Sequence, residues 1–196
     1  MDPPPCTYCT GEHSDWVAEY KGQNPGIPDG FTLICATNEG IHASVTAGSS
    51  PDTLRFDAFI PRAATSDIRG DPPEVPDLRS FEMKLDCSSL LSVAQAGGFF
   101  SYVAGTACAM IRRDSWWTRM KAVGKGIFIN NHSTTLPMKK GLSSSAAVCV
   151  LVATAFNLFY ELHLSTDELM DAAYQVGGAA AAHNVIIAIS SHFYIA

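Results

Sequence analysis

Residues 136–162 read LPMKKGLSSSAAVCVLVATAFNLFYEL, and no other stretch of the chain constrains the fold as strongly. A polar Gly-Leu-Ser-Ser-Ser turn gives way to a run that is apolar on nearly every helical face, which predicts a helix over about 144–162 with no side suited to water. Such a helix has to be buried. Its N-terminus carries unpaired N–H donors and about half a positive charge, so it offers a natural seat for a phosphate. Gly141 lets the backbone approach a ligand closely, Lys139 and Lys140 add positive charge just upstream, and a serine hydroxyl here can ligate the magnesium of a nucleotide triphosphate. The competing reading is that the serines only cap the helix.

Working outward from this helix, residues 41–47 alternate Ile41, Ala43, Val45 and Ala47 with His42, Ser44 and Thr46, the period-two pattern of a half-buried strand. A strand at 32–36 precedes it, with Asn38, Glu39 and Gly40 as a turn. Further strands are expected at 54–59, 81–86 and 126–130, and a helix at about 98–113. The segment 61–80, with four prolines, reads as a surface loop. Ser165 followed by Glu168 forms a capping box for a helix over about 166–175, after which the pattern collapses into glycine, alanine and a short apolar run.

The chain has 196 residues, enough for one domain with a real core or for part of a larger protein. A net charge of −6 without a basic block argues against nucleic acid and anionic membranes as partners. The charged fraction of 16% falls below the roughly 25% of a usual soluble domain, which points to a covering partner or further chain. Six scattered cysteines fit a reducing, cytoplasmic setting better than a disulfide scaffold. No signal peptide is read at the start, and His183, Asn184, Ser190, Ser191 and His192 interrupt the apolar tail, so no membrane span is expected. Cys6 and Cys9 form a CxxC pair without a second pair at metal spacing, so zinc is not expected; Trp116 and Trp117 read as a helix end plugging a seam.

Neither GxxxxGK[ST] nor GxGxxG follows a strand, so a nucleotide would have to be held in another way. A second polar cluster, Gly11-Glu12-His13-Ser14-Asp15-Trp16, packs two carboxylates, an imidazole and an indole into a few positions. Carboxylates accept from adjacent sugar hydroxyls and an aromatic face packs on C–H groups, although a polar turn with a core-plugging tryptophan has the same composition.

Together the two clusters resemble the signatures of the GHMP small-molecule kinases, the family of galactokinase, homoserine kinase, mevalonate kinase and phosphomevalonate kinase. PMKKGLSSSAA at 137–147 resembles the family's phosphate-binding motif at the start of a long helix. GEHSDW at 11–16 resembles the GEH[ST]D[YW] signature of the galactokinase-like branch, and FSYVAGTACAMI at 100–111 is similar to a helix of that branch.

The resemblance implies an α+β fold, with an N-terminal domain like domain 2 of ribosomal protein S5 over 1–175, a divergent tail at 176–196, and the family's C-terminal domain missing. It implies that Glu12, His13 and Asp15 contact sugar hydroxyls. Lys140, Gly141, Leu142, Ser143, Ser144, Ser145 and Ala146 would surround the ATP phosphates, with Ser145 as the Mg2+ ligand. The expected activity is ATP-dependent phosphorylation of a monosaccharide or sugar acid at its anomeric hydroxyl. A non-catalytic sugar- or nucleotide-binding regulator and a mevalonate kinase-like enzyme are the alternatives.

Two departures bear on catalysis. The family's arginine ahead of the GEH motif is Cys6 here, after a run of three prolines, so the strand leading into that motif is expected to be short or unformed. The family's substrate-facing aspartate has no counterpart after Asp171, which leaves the catalytic residues unassigned. The chain on its own is therefore expected to be inactive, and its all-round apolar helix, low charged fraction and apolar run at 185–189 lead to the expectation that it is prone to aggregate.

Overall fold

The computed structural model describes residues 6–9, 34–36, 40–60, 77–136 and 144–180. Strands β1 (Cys6–Cys9) and β2 (Ile34–Ala36) pair antiparallel as a two-stranded ribbon. The main sheet holds β3 (Ile41–Ala47), β4 (Thr53–Ile60), β5 (Asp77–Lys84) and β6 (Ile127–Thr134) in the order β3-β6-β4-β5. The outer pairs are antiparallel, whereas β4 and β6 run parallel in the centre. Parallel neighbours need a long crossover, and here it consists of β5 and three helices: α1 (Cys87–Ala96), α2 (Ser101–Ile111) and α3 (Asp114–Val123). After β6 come α4 (Ser144–Phe159) and α5 (Thr166–Ala180).

Alternation along the strands sorts the sheet into two faces. Leu54, Phe56 and Ala58 of β4, Ile127, Ile129 and Asn131 of β6, and Ile41 and Ala43 of β3 are buried. The register sets Leu54 beside Ile127 and Phe56 beside Ile129, so the apolar rows meet across the parallel pair. Helix α4 lies against β3 and β6, α1 reaches β5, and α2 packs on α1, α4 and α5. The opposite face is polar. There Arg55 donates to Asp57 at 3.1 and 3.0 Å and lies 4.9 Å over the Phe128 ring.

Each helix boundary has a chemical cause. Asp86 caps α1, accepting from the Ser89 amide at 2.8 Å and the Ser88 hydroxyl at 2.6 Å. The Ser88 and Ser89 donors hold its carboxyl well down, at about 2. Residue 86 was expected inside a strand; instead β5 ends at Lys84, starts within the expected proline-rich loop at Asp77, and hands over to a helix that alternation did not reveal. A second unforeseen helix is α3, which puts Trp116 and Trp117 in its first turn, at the start of a helix and not at the close of one. Trp116 is buried, and left-handed Gly124 (φ 64°) closes the helix.

Ser165 and Glu168 form the expected capping box: the Ser165 amide donates to Glu168 at 2.9 Å, and the Glu168 amide donates to the Ser165 hydroxyl at 3.3 Å. The helix it opens continues to Ala180, beyond the expected 175, since alanine favours helix strongly enough to carry the chain through Gly177 and Gly178. Phe56, Phe81 and Phe99 surround Phe100 at centroid distances of 6.3, 5.1 and 4.8 Å, locking the start of α2 to β4 and β5.

The turn after β3 crosses directly over the start of β6. The Gly48 amide donates to the Gly126 carbonyl at 2.8 Å, and a methyl group added at Gly126 would stand 2.2 Å from the Ser50 carbonyl oxygen and 2.6 Å from that of Thr53. Both obstacles are backbone, so the strand or the turn must move. Gly126→Ala is expected to destabilise the domain by about 1–3 kcal/mol, read as a lower urea midpoint with an unchanged slope.

Candidate functional site

The chain between Leu136 and Ser144 joins the end of β6 to the long buried helix α4, and both of its anchors are held by the core. On the strand side, the anchor is Asn131. Its side chain points inward at a position the alternation reserves for an apolar residue, and it is buried there. The amide nitrogen donates to the His42 carbonyl at 2.9 Å, the Ser133 carbonyl at 3.0 Å and the Thr134 hydroxyl at 3.1 Å, while Oδ1 accepts from the Phe59 amide at 3.1 Å. One side chain thus ties the ends of β3, β4 and β6 together.

The network exists because the β3–β6 register slips by one residue between His42 and Ala43: Ala43 pairs with Asn131, but His42 pairs with Ser133. Such a bulge frees backbone groups that a polar side chain can satisfy. Just beyond it, the Thr135 amide donates to the Gly40 carbonyl at 3.0 Å, and the Gly40 amide returns a bond to the Thr135 hydroxyl at 2.9 Å. Leu136 is then buried in the core. The direction in which the chain leaves the sheet is fixed at three successive points.

On the helix side, the anchor is the body of α4. Ala146, Ala147, Cys149, Val150, Leu151, Val152, Ala153, Ala155 and Phe156 are all buried. The far end is pinned as well. Asn157 Oδ1 accepts from the Leu164 amide at 2.9 Å, the Tyr160 hydroxyl donates to the Lys125 carbonyl at 3.0 Å, and the Arg119 guanidinium donates to the Leu162 carbonyl at 2.9 Å. Burial pushes the Cys149 thiol up to about 11, so it stays a neutral packing group.

Of the residues singled out in the sequence, Ser144, Ser145 and Ala146 form the first turn of α4, as the reading of 136–162 requires. The two serines are half-buried, whereas Ala146 is buried. Lys140, Gly141, Leu142 and Ser143 fall outside the described residues, as do Glu12, His13 and Asp15, so the spatial relation of the two motifs lies outside them too.

Electrostatics set this helix start apart from most others in the domain. Helix α1 is capped by Asp86, α3 opens with Asp114, and α5 opens with Asp167 and Glu168. The first turn of α4 has no acidic residue. Its partial positive charge is therefore not opposed by a carboxylate of its own turn, which suits an anionic ligand. Asp171, the last acidic residue of the chain, pairs with Arg113, whose guanidinium also lies 4.4 Å over the Trp116 ring. That pair fastens α5 to α3.

A strand end and a buried helix whose first turn holds no carboxylate, set in an α+β domain, make up the described part of the arrangement. Residues 101–192 match the family model of the GHMP kinases N terminal domain. The α+β fold is the fold of that domain. Among solved structures, the chain is similar to a crystal structure of mevalonate kinase, with a TM-score of 0.55 and 16% identity over 93% of this chain and 48% of that one. The mevalonate kinase of Methanococcus jannaschii is also similar, with a TM-score of 0.49 and 17% identity over 72% of this chain and 37% of that one. The chain thus spans about half or less of the length of these structures. No curated protein matches it. Among the described residues, no helix is long and apolar enough to cross a membrane, and no group of three metal-ligating side chains occurs.

Asn131 was not singled out from the sequence, although IFINNHST carries the signal: alternation from Ile127 and Ile129 places an asparagine on the buried row. Replacing it with leucine keeps the branching of the side chain, with a larger volume, but strands the Phe59 amide and the His42 carbonyl. Asn131→Leu is expected to cost about 2–4 kcal/mol of stability, measured by chemical denaturation.

Proposed function

We propose that this chain forms the nucleotide-phosphate side of a small-molecule kinase site, which transfers the γ-phosphoryl group of ATP to a hydroxyl of a monosaccharide or sugar acid. The observation that carries the reading is the start of α4, a buried helix whose first turn offers Ser144 and Ser145 and no carboxylate, fed by a strand end fixed through Asn131 and Thr135. Phosphoryl transfer makes little covalent demand on a protein. It needs the phosphates held still among donors that do not reorganise, and a helix seated in the core meets that need.

In this reading the amides around Gly141, Leu142, Ser143 and Ala146 face the phosphates, Lys140 adds charge, and the Ser145 hydroxyl holds the magnesium ion of the nucleotide. A hydroxyl at a helix start among unpaired amides suits both groups. Magnesium, when bound, neutralises charge on the phosphate oxygens. Glu12, His13 and Asp15 hold the acceptor, and three polar groups that include two carboxylates favour a polyhydroxylated molecule over an acyl one. The likeness to mevalonate kinases concerns the fold, so a mevalonate-type acceptor belongs in the same test.

Calorimetric titration with Mg–ATP checks the phosphate assignment: Ser145→Ala is expected to weaken binding about tenfold, equal to about 1.4 kcal/mol, with the thermal unfolding midpoint unchanged. Equal affinity for the two proteins would remove Ser145 from the site. ADP release measured with galactose, arabinose, glucuronate, galacturonate and mevalonate then assigns the acceptor; binding without turnover for all of them would favour a regulatory protein, consistent with Cys6 in place of the family's arginine.

A further inference from the structure

Two thiols that have no part in this site face each other across the contact between α1 and α2. Cys87 opens α1 and is half-buried, while Cys108 lies within α2 and is buried. Their sulfurs are 3.5 Å apart, and each reaches the other residue's carbonyl oxygen at 3.8 Å. Bringing the sulfurs to bonding distance needs a shift of only about 1.5 Å. Cys87 can yield, since it stands on the first turn of its helix and retains solvent exposure.

We propose that Cys87 and Cys108 are a reversible disulfide site, closed by a low-molecular-weight disulfide such as oxidised glutathione and opened by its thiol. The half-exposed Cys87 acts first. Its thiolate attacks one sulfur of the small disulfide, that S–S bond breaks, one small thiol leaves as a thiolate that takes up a proton, and a mixed disulfide remains on Cys87.

Cys108 then loses its proton to solvent and attacks the Cys87 sulfur, expelling the second small thiol. Two protein thiols give up two electrons, and the small disulfide is reduced to two thiols. Burial, together with the neighbouring Cys87, pushes the Cys108 thiol up to about 11 and makes it the poorer first nucleophile; its resolving attack relies on being held 3.5 Å from the Cys87 sulfur. Cys149, sealed in the core, provides an internal control.

The bond would tie the start of α1 to α2, closing a loop between positions 21 apart in sequence. A loop of that size restricts the unfolded chain enough to raise the melting temperature by about 5–10 °C.

The test uses the full chain, reduced, freed of reductant and incubated with oxidised glutathione. It is then denatured, alkylated with iodoacetamide and digested with trypsin. No lysine or arginine lies between Lys84 and Arg112, so both cysteines fall in the peptide 85–112. That peptide is expected unalkylated and two hydrogen atoms lighter than its reduced form, with full alkylation restored by dithiothreitol, and the oxidised protein is expected to melt higher. In Cys87→Ser, a change to a residue well suited to a helix start, the peptide should take one alkyl group and the rise in melting temperature should vanish. The proposal is overturned if the natively folded protein leaves both thiols open to alkylation, or if glutathione stays on Cys87 without ring closure.

Discussion

Helix α4 must be covered on nearly every side, with Leu158 left exposed near its end, and most of the architecture follows from that constraint. It offers water no charged residue along its whole length, and its buried side chains occupy all faces. The sheet supplies the floor through β3 and β6, and α2 and α5 supply the flanks. Close approach depends on small side chains: Ala104, Ala107 and Ala109 on α2, Ala147, Ala153 and Ala155 on α4, and Ala172 and Ala173 on α5 are all buried. Packing at this density leaves little room for adjustment, so the helix is held as one rigid body.

The same constraint accounts for the low charged fraction. Helices α1, α2 and α4 contain no charged residue; α2 and α4 give most of their surface to neighbours, while α1 turns uncharged Ser88, Ser92 and Gln95 to solvent. Charge collects instead on α3, on the first turn of α5 and on the outer face of the sheet, where Arg55 and Asp57 pair beside Phe128. Composition pointed to a surface in need of cover. Much of the missing charge is explained inside the domain, by two helices, α2 and α4, that have little exposed face to decorate.

The sequence was most legible where one periodicity dominates. The strand at 41–47 and the start of the helix at Ser144 stand where alternation and all-round apolarity place them, and the capping box marks the start of α5. Legibility failed where local signals compete. Residues 81–96 pass from a strand to a capped helix with no break in apolar content, and only the Asp86 side chain marks the border. The tryptophans of α3 hid a helix because one turns into the core and the other toward Lys121. At the site, the serines were readable as a motif, but Asn131 was not, because its role arises from a register slip between two strands distant in sequence. Nothing in a single segment encodes a bulge of that kind.

The proposed phosphate site rests on two fixed points, the buried Leu136 after β6 and the first turn of α4 at Ser144. Amide hydrogen exchange resolved along the chain tests it most directly, with and without a saturating non-hydrolysable Mg–ATP analogue. The account predicts that amides within 137–147 slow by at least about tenfold when the analogue binds, while those of β5 on the sheet edge are unchanged. Slowing elsewhere with 137–147 unaffected, or no slowing at all, would contradict it.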